Sequence, residues 1–248
     1  MDLGEPIAIG NTAKIYLYEN KIIKLFNDYL PETESSYEAT KQHVAYTSGL
    51  PVPKVIDVTK IEEKQVIIME YMEGRTLGEL LSEKKELAEH YLRISIDVQR
   101  KIHQVVADSL EPMSEKLRRQ IEAAPLLNDK RRTKLLQLLG SMKFENRLCH
   151  GDFHLFNLIM TDQQVKIIDW VDASAGDLRA DVYRTYLLYS QYSSDLADMY
   201  IQLYCEKSGL KQEEIFQWAP IIAAARLSEN VSTEDSNRLL AIINRYVS

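Results

Sequence analysis

Three side chains with oxygen donors fall close together in the middle of this chain. Asp152 and Asn157 lie on one short stretch that opens Leu148-Cys149-His150-Gly151, and Asp169 follows in Val165-Lys166-Ile167-Ile168-Asp169-Trp170. Between them, the apolar run Leu158–Met160, the polar Thr161-Asp162-Gln163-Gln164 and the alternating Val165-Lys166-Ile167 read as a β-hairpin. A hairpin turning near Gln163 sets Asn157 opposite Asp169, within about one residue of register. Their oxygens, with the Asp152 carboxylate nearby, then face one point. A Mg²⁺ site that keeps waters and substrate phosphates needs such a donor set, and the chemistry it predicts is phosphoryl transfer from a metal-bound nucleotide.

His150-Gly151-Asp152 with Asn157, followed by Ile167-Ile168-Asp169-Trp170, resembles the catalytic core of the aminoglycoside phosphotransferase and choline kinase families, which share the protein-kinase-like fold. The resemblance spans residues 6 to about 185. It implies that Asp152 accepts the proton of a substrate hydroxyl and that Asn157 and Asp169 hold Mg²⁺. His154 stands where protein-kinase loops carry a Lys near the transferred phosphate, and is expected to contact that group. His150, two residues before the base, is expected to hydrogen-bond the loop rather than move protons. Gly176-Asp177-Leu178-Arg179-Ala180-Asp181 resembles the Gly-Asp-Pro-x-x-Asp segment of these families, with Leu178 in place of the proline. The role carried over to Asp181 is to tie down the backbone of the catalytic loop.

These residues need a scaffold, and the first part of the chain reads as strands. Pro6–Gly10, Lys14–Tyr18 and Lys21–Phe26 alternate, with a turn at Glu19-Asn20. Ile22, Lys24 and Phe26 share a strand face, and a Lys among apolar neighbours on an inner face needs a partner. Kinase-like folds supply a helix Glu and nucleotide phosphates. The helix expected over Pro31–Ser48, punctuated by Pro31 and Gly49, carries Glu38 at mid-length for that purpose. Gly10 opens the loop that these families place over the phosphates, with one glycine where protein kinases have three. Strands over Lys54–Thr59 and Gln65–Tyr71 run into Glu70-Tyr71-Met72-Glu73-Gly74, which resembles the hinge between lobes. Glu70 and Met72 are therefore expected to meet adenine through main-chain groups.

From Thr76 the pattern turns helical. Thr76-Leu77-Gly78-Glu79 fits a capping box, and Glu86–Val106 carries an apolar stripe at three- and four-residue steps. His103 borders that stripe as a satisfied core residue. Helices are expected over Pro112–Ala124, Asn128–Met142, Val182–Tyr192, Ser194–Ser208, Gln212–Leu227 and Asp235–Val247. Tyr183, Tyr186, Tyr189, Tyr192, Tyr200 and Tyr204 cluster here, as core and rim packing or as an aromatic wall for a cationic substrate.

Composition narrows the class. Of 248 residues, 45% are apolar and 27% charged, the balance of an ordinary globular protein. Lys and Arg number 30 against 37 Asp and Glu, and the net charge of −7 argues against a nucleic-acid partner. The acidic opening Met1-Asp2-Leu3-Gly4-Glu5 has no apolar core of a secretion signal, and Ala219–Ala225 is too short to span a bilayer. Cys149 and Cys205 form neither a disulfide framework nor a metal pattern and read as buried thiols. The expectation is a cytoplasmic α+β protein of two lobes, bilobal and protein-kinase-like. An antiparallel-sheet nucleotide-binding lobe spans 1–71, and a helical lobe over 72–248 carries the catalytic loop. It should use ATP and Mg²⁺ on a small-molecule hydroxyl, with no nucleic-acid or membrane partner. A non-catalytic nucleotide-binding regulator is the alternative.

Overall fold

The computed structural model describes residues 3–10 and 12–247; Met1, Asp2, Asn11 and Ser248 lie outside them, Asn11 within the Gly10 loop and Met1 and Asp2 in the acidic opening. The chain forms two compact units, Met1–Glu83 with Phe156–Asp172, and Lys84–Leu155 with Ala173–Ser248. Where the sequence places a boundary between residues 71 and 72, the first unit runs on to Glu83 and takes in the 156–172 hairpin as well.

The first unit is built on five strands, β1 (Ala8–Ile9), β2 (Ala13–Tyr18), β3 (Lys21–Phe26), β4 (Val55–Ile61) and β5 (Lys64–Glu70), in the antiparallel order β1-β2-β3-β5-β4. Glu19 and Asn20, then Glu62 and Glu63, all take positive φ, the tight two-residue turns that match strand twist. Helix α1 (Glu34–Thr47) follows β3; Pro31 precedes it, and Thr33 rather than Pro31 opens it. Alternation on β3 divides the sheet's two faces. Phe26 packs with Ala13, Ala39, Ile67 and Met69, while Ile23 packs with Tyr16 and Val66 on the other side. Ala39 belongs to α1, so the helix covers the face that also carries Lys24. Cross-strand neighbours Ile15 and Ile67 flank that lysine.

The hairpin of the first unit pairs Leu158–Met160 with Val165–Ile167 and adds the short strand Arg75–Thr76 at its edge. Thr161 N–H donates to Gln164 O at 3.1 Å, which closes a two-residue connection at Asp162-Gln163. The register therefore sets Asn157 opposite Ile168, one residue short of the Asn157–Asp169 pairing expected from a turn centred on Gln163. Gly74 runs close against this edge: a Cβ there would lie 2.2 Å from Met160 O, and its φ of 155° suits only glycine. The capping box at Thr76 forms, with Thr76 N–H on Glu79 Oε2 at 2.8 Å and Glu79 N–H on Thr76 Oγ1 at 3.1 Å.

The second unit is helical apart from a strand pair, Arg147–Cys149 with Ser174–Gly176. The stripe-bearing helix spans Ala88–Ile102 after a single 3₁₀ turn at Lys85–Leu87. Met113–Ala123, Asp129–Ser141, Leu178–Tyr192, Ser194–Ser208 and Ser236–Tyr246 match the expected segments, Leu178–Tyr192 beginning four residues early. Asp177 caps that helix by accepting from Arg179 N at 2.8 Å. Leu178 then occupies the first helical position, where a proline is tolerated but not needed. The helix expected over Gln212–Leu227 is two, Gln212–Phe216 and Ala219–Ser228, because Pro220 can sit only in a helix's first turn. Tyr183, Tyr189, Tyr200 and Tyr204 are buried, so most of the tyrosine cluster is core. Cys149 is buried, but Cys205 is only half-buried.

Candidate active site

In the first unit, three expected site residues meet. Lys24 Nζ donates to Glu38 Oε1 at 2.6 Å and to Asp169 Oδ1 at 3.0 Å, with Glu38 fully buried and the Asp169 side chain 40% exposed. Burial alone would depress the Lys24 amine; the charges of Asp169 and Glu38 outweigh it and hold the amine above its ordinary value. The ammonium is thus kept charged inside the unit. Asn157, buried, is tied to the same place by its backbone: Ile168 N–H donates to Asn157 O at 3.0 Å. Asp169 itself takes φ 63°, a left-handed conformation uncommon for a non-glycine residue and characteristic of functional sites. Trp170, fully buried, anchors the turn through Nε1–H on Ile167 O at 3.4 Å.

In the second unit the loop from His150 is fastened atom by atom. Gly151, at φ 81°, donates its N–H to Asp181 Oδ1 at 2.7 Å and accepts Arg184 Nε at 3.1 Å on its carbonyl. Asp181 is in turn held by His103 Nε2 at 2.9 Å and Gln99 Nε2 at 3.2 Å. His103 turns its other nitrogen to the Tyr204 hydroxyl at 3.1 Å, so it is a satisfied core histidine. His150, buried, accepts Asp152 N–H on Nδ1 at 3.3 Å. Asp152 Oδ2 lies 3.4 Å from His154 Nε2. Burial would raise the Asp152 carboxyl, but the His154 contact and the cationic character of His154, Arg184 and His150 hold it well below the usual carboxylate range. At neutral pH it is an ionised carboxylate, able to accept a proton.

Lys24, Glu38 and Asp169 are thus in contact, with Asn157 at the hairpin mouth beside Asp169. Asp152 and His154 are paired in the other unit. Gly10 lies between β1 and β2, with its N–H on Ala13 O at 2.9 Å. Glu70 closes β5, its N–H bonded to Lys54 O at 3.0 Å, and Met72 lies just past it. The donors at the hairpin mouth, an amide oxygen and a half-exposed carboxylate, are the hard oxygen ligands that Mg²⁺ takes in ones and twos beside phosphates, so the residues present fit that ion. Sequence reasoning did not find Arg184, Gln99 or Lys41. No motif marks them, since each acts through a partner brought near only by the fold.

A kinase-like fold with this loop defines the class of protein. Residues 5–218 match the family model described as phosphotransferase enzyme family. The chain belongs to this family and is a small-molecule kinase. Among solved structures it resembles a thermostable mutant of aminoglycoside phosphotransferase APH(4)-Ia in ternary complex with AMP-PNP and hygromycin B, at TM-score 0.73 and 12% identity over 98% of this chain and 92% of that one. It also resembles a choline/ethanolamine kinase family protein from Mesorhizobium loti, at TM-score 0.65 and 13% identity over 97% and 85%. A third likeness is aminoglycoside phosphotransferase APH(3'')-Id from Streptomyces rimosus, at TM-score 0.64 and 17% identity over 90% and 92%. A search of curated proteins finds no match. Among the described residues, no helix is long and apolar enough to cross a membrane.

Proposed function

We propose that this chain acts in the cytoplasm and transfers the γ-phosphoryl group of ATP, with Mg²⁺, to a hydroxyl of a small molecule. The observation that carries the reading is the Lys24 ammonium, kept charged between Glu38 and Asp169 in a buried site. A structural ion pair would need one carboxylate; the second, half-exposed one suits an ammonium that also serves phosphate oxygens. Asn157 and Asp169 would hold the metal. When bound, Mg²⁺ supplies positive charge to the phosphates as negative charge shifts toward the leaving oxygen.

Lys24 orients the phosphates, and Glu38 orients Lys24. Asp152 accepts the hydroxyl proton as the new O–P bond forms and the bond to the leaving ADP oxygen breaks. His154, beside Asp152, contacts the transferred group. Gly10 contributes backbone near the phosphates; a Cβ there would meet nothing closer than Ala13 O at 3.5 Å, so the local fold does not itself demand glycine. Adenine is met by the main chain of Glu70 and Met72. Because the Glu70 N–H already serves Lys54, its share is the carbonyl.

The test is ATP-dependent phosphorylation across a panel of aminoglycosides, choline-like amino alcohols, sugars and fructosamines, with product masses read directly. One class should gain a single phosphoryl group in a Mg²⁺-dependent manner. Nucleotide binding with no product and no hydrolysis of ATP would overturn the proposal.

A further inference from the structure

A second buried lysine touches the segment that carries Asp169. Lys41 lies on α1, about one turn beyond Glu38, and is 3% exposed. Its Nζ donates to Val171 O at 2.5 Å and lies 4.1 Å from the centre of the Tyr37 ring. Burying an ammonium is costly, and a neutral side chain of similar length would fill the same space. The carbonyl it holds belongs to the residue two past Asp169. Ile167 N–H donates to Pro51 O at 2.9 Å, and Ile167 O accepts from Trp170. Asp169 takes φ 63°, and its own link to Lys24 is through the side chain. Lys41 thus holds the backbone two residues beyond Asp169. Glu38 and Lys41 together give α1 two attachments to this segment, one through Lys24 to the carboxylate and one direct to the backbone.

We propose that Lys41 is a positioning residue, setting the direction of the chain as it leaves Asp169 and thereby the fit of that carboxylate to Mg²⁺. This rests on the reading of Asp169 as a metal ligand. Partners that orient a metal ligand typically govern metal affinity by about 10–100-fold, whereas a residue needed only for packing would change nucleotide binding with and without metal alike.

The experiment is calorimetric titration of the full chain with AMP-PNP, with Mg²⁺ and with the metal chelated, on wild type, Lys41→Met, Lys41→Arg and Asp169→Asn. Lys41→Met is expected to lose about tenfold of the affinity gain that Mg²⁺ confers, with metal-free affinity unchanged. Lys41→Arg keeps a cation that reaches the carbonyl and should restore most of the gain. A thermal midpoint at or above wild type shows that Lys41→Met is folded. If Lys41→Met keeps the full Mg²⁺ gain while Asp169→Asn loses it, the proposal fails and the metal reading stands. If Lys41→Met weakens metal-free binding equally, Lys41 serves the helix and not the metal segment, which also overturns it. If Asp169→Asn keeps the gain, the metal reading fails first.

Discussion

Asp152 and Asp169 carry the same carboxylate in different settings, and replacing either with Asn should separate their jobs. On the proposed function Asp152 meets the attacking oxygen, which is absent when nucleotide binds alone. Asp152→Asn should therefore hold Mg²⁺-AMP-PNP affinity near wild type and lower turnover of the acceptor by about 10²–10⁴-fold. Asp169→Asn should weaken the Mg²⁺-dependent part of binding itself, read by the same titration. Lys24→Ala should raise the KM for ATP in a folded protein, since Glu38 and Asp169 are left to repel one another where, on the proposed function, phosphates enter. The depressed Asp152 carboxyl should also shape the pH profile. Arg184 is one of the cations that lower it, so Arg184→Met should raise it and move the acid limb of the turnover profile to higher pH. At this scale the residues proposed for the site, Asp152, Asn157 and Asp169, are nominated by residue type and spacing. Arg184 and Lys41 obey no spacing. Their partners lie 33 and 130 residues away, and only packing decides them.

Elements were legible where local geometry decides them. The Thr161–Gln164 turn limits the hairpin to a narrow range of registers, so the meeting of Asn157 with the Asp169 segment could be read to within a residue. The capping box at Thr76 was readable for the same reason, whereas the Lys24–Glu38 pairing was implied by the resemblance to kinase-like folds. The Leu178–Tyr192 helix begins earlier than its apolar pattern suggests, because Asp177 supplies the cap and no periodicity announces a cap. The break before Pro220 was readable and missed. The hinge gives a prediction at this scale: if adenine meets main chain only, Met72→Ala should leave nucleotide affinity within about twofold, since backbone donors survive a side-chain change. A large loss in folded protein would move the hinge elsewhere. The clamp on Gly151 gives another. Asp181→Ala removes the acceptor shared by Gly151, His103 and Gln99, and should destabilise the protein by about 3 kcal/mol, read as a lowered denaturant midpoint.

For the molecule as a whole, the depressed carboxyls of Asp152 and Asp181 set a pH dependence of stability. Burial would raise the Asp181 carboxyl, but the His103 hydrogen bond and charge, the Gly151 N–H and His150 outweigh it and lower it, as His154 does for Asp152. A carboxyl lower in the folded than in the unfolded chain binds fewer protons when folded. Its stabilisation is complete above the unfolded value near 4 and is lost as pH falls through the folded one. Urea midpoints should therefore be level from about pH 7 to pH 5 and fall steeply below about pH 4. In Asp181→Asn the fall should be shallower, though from a lower starting point. A slope unchanged in that variant would assign acid unfolding to other carboxylates.

The chain leaves the second unit after Leu155 and rejoins it at Ala173, handing the first unit its last segment on the way. On the ribosome this orders events. When Glu83 has emerged, the five-stranded sheet and α1 are complete, but Lys24 has Glu38 for company and no Asp169. At about 5–20 residues per second, roughly 5 to 20 seconds pass before the second carboxylate arrives. A nascent sheet stalled before Asp172 would thus expose an ammonium built for two acids and paired with one. Gene fragments that end at Glu83 should inherit the same defect, so the first unit is not a module that evolution or cloning can move alone.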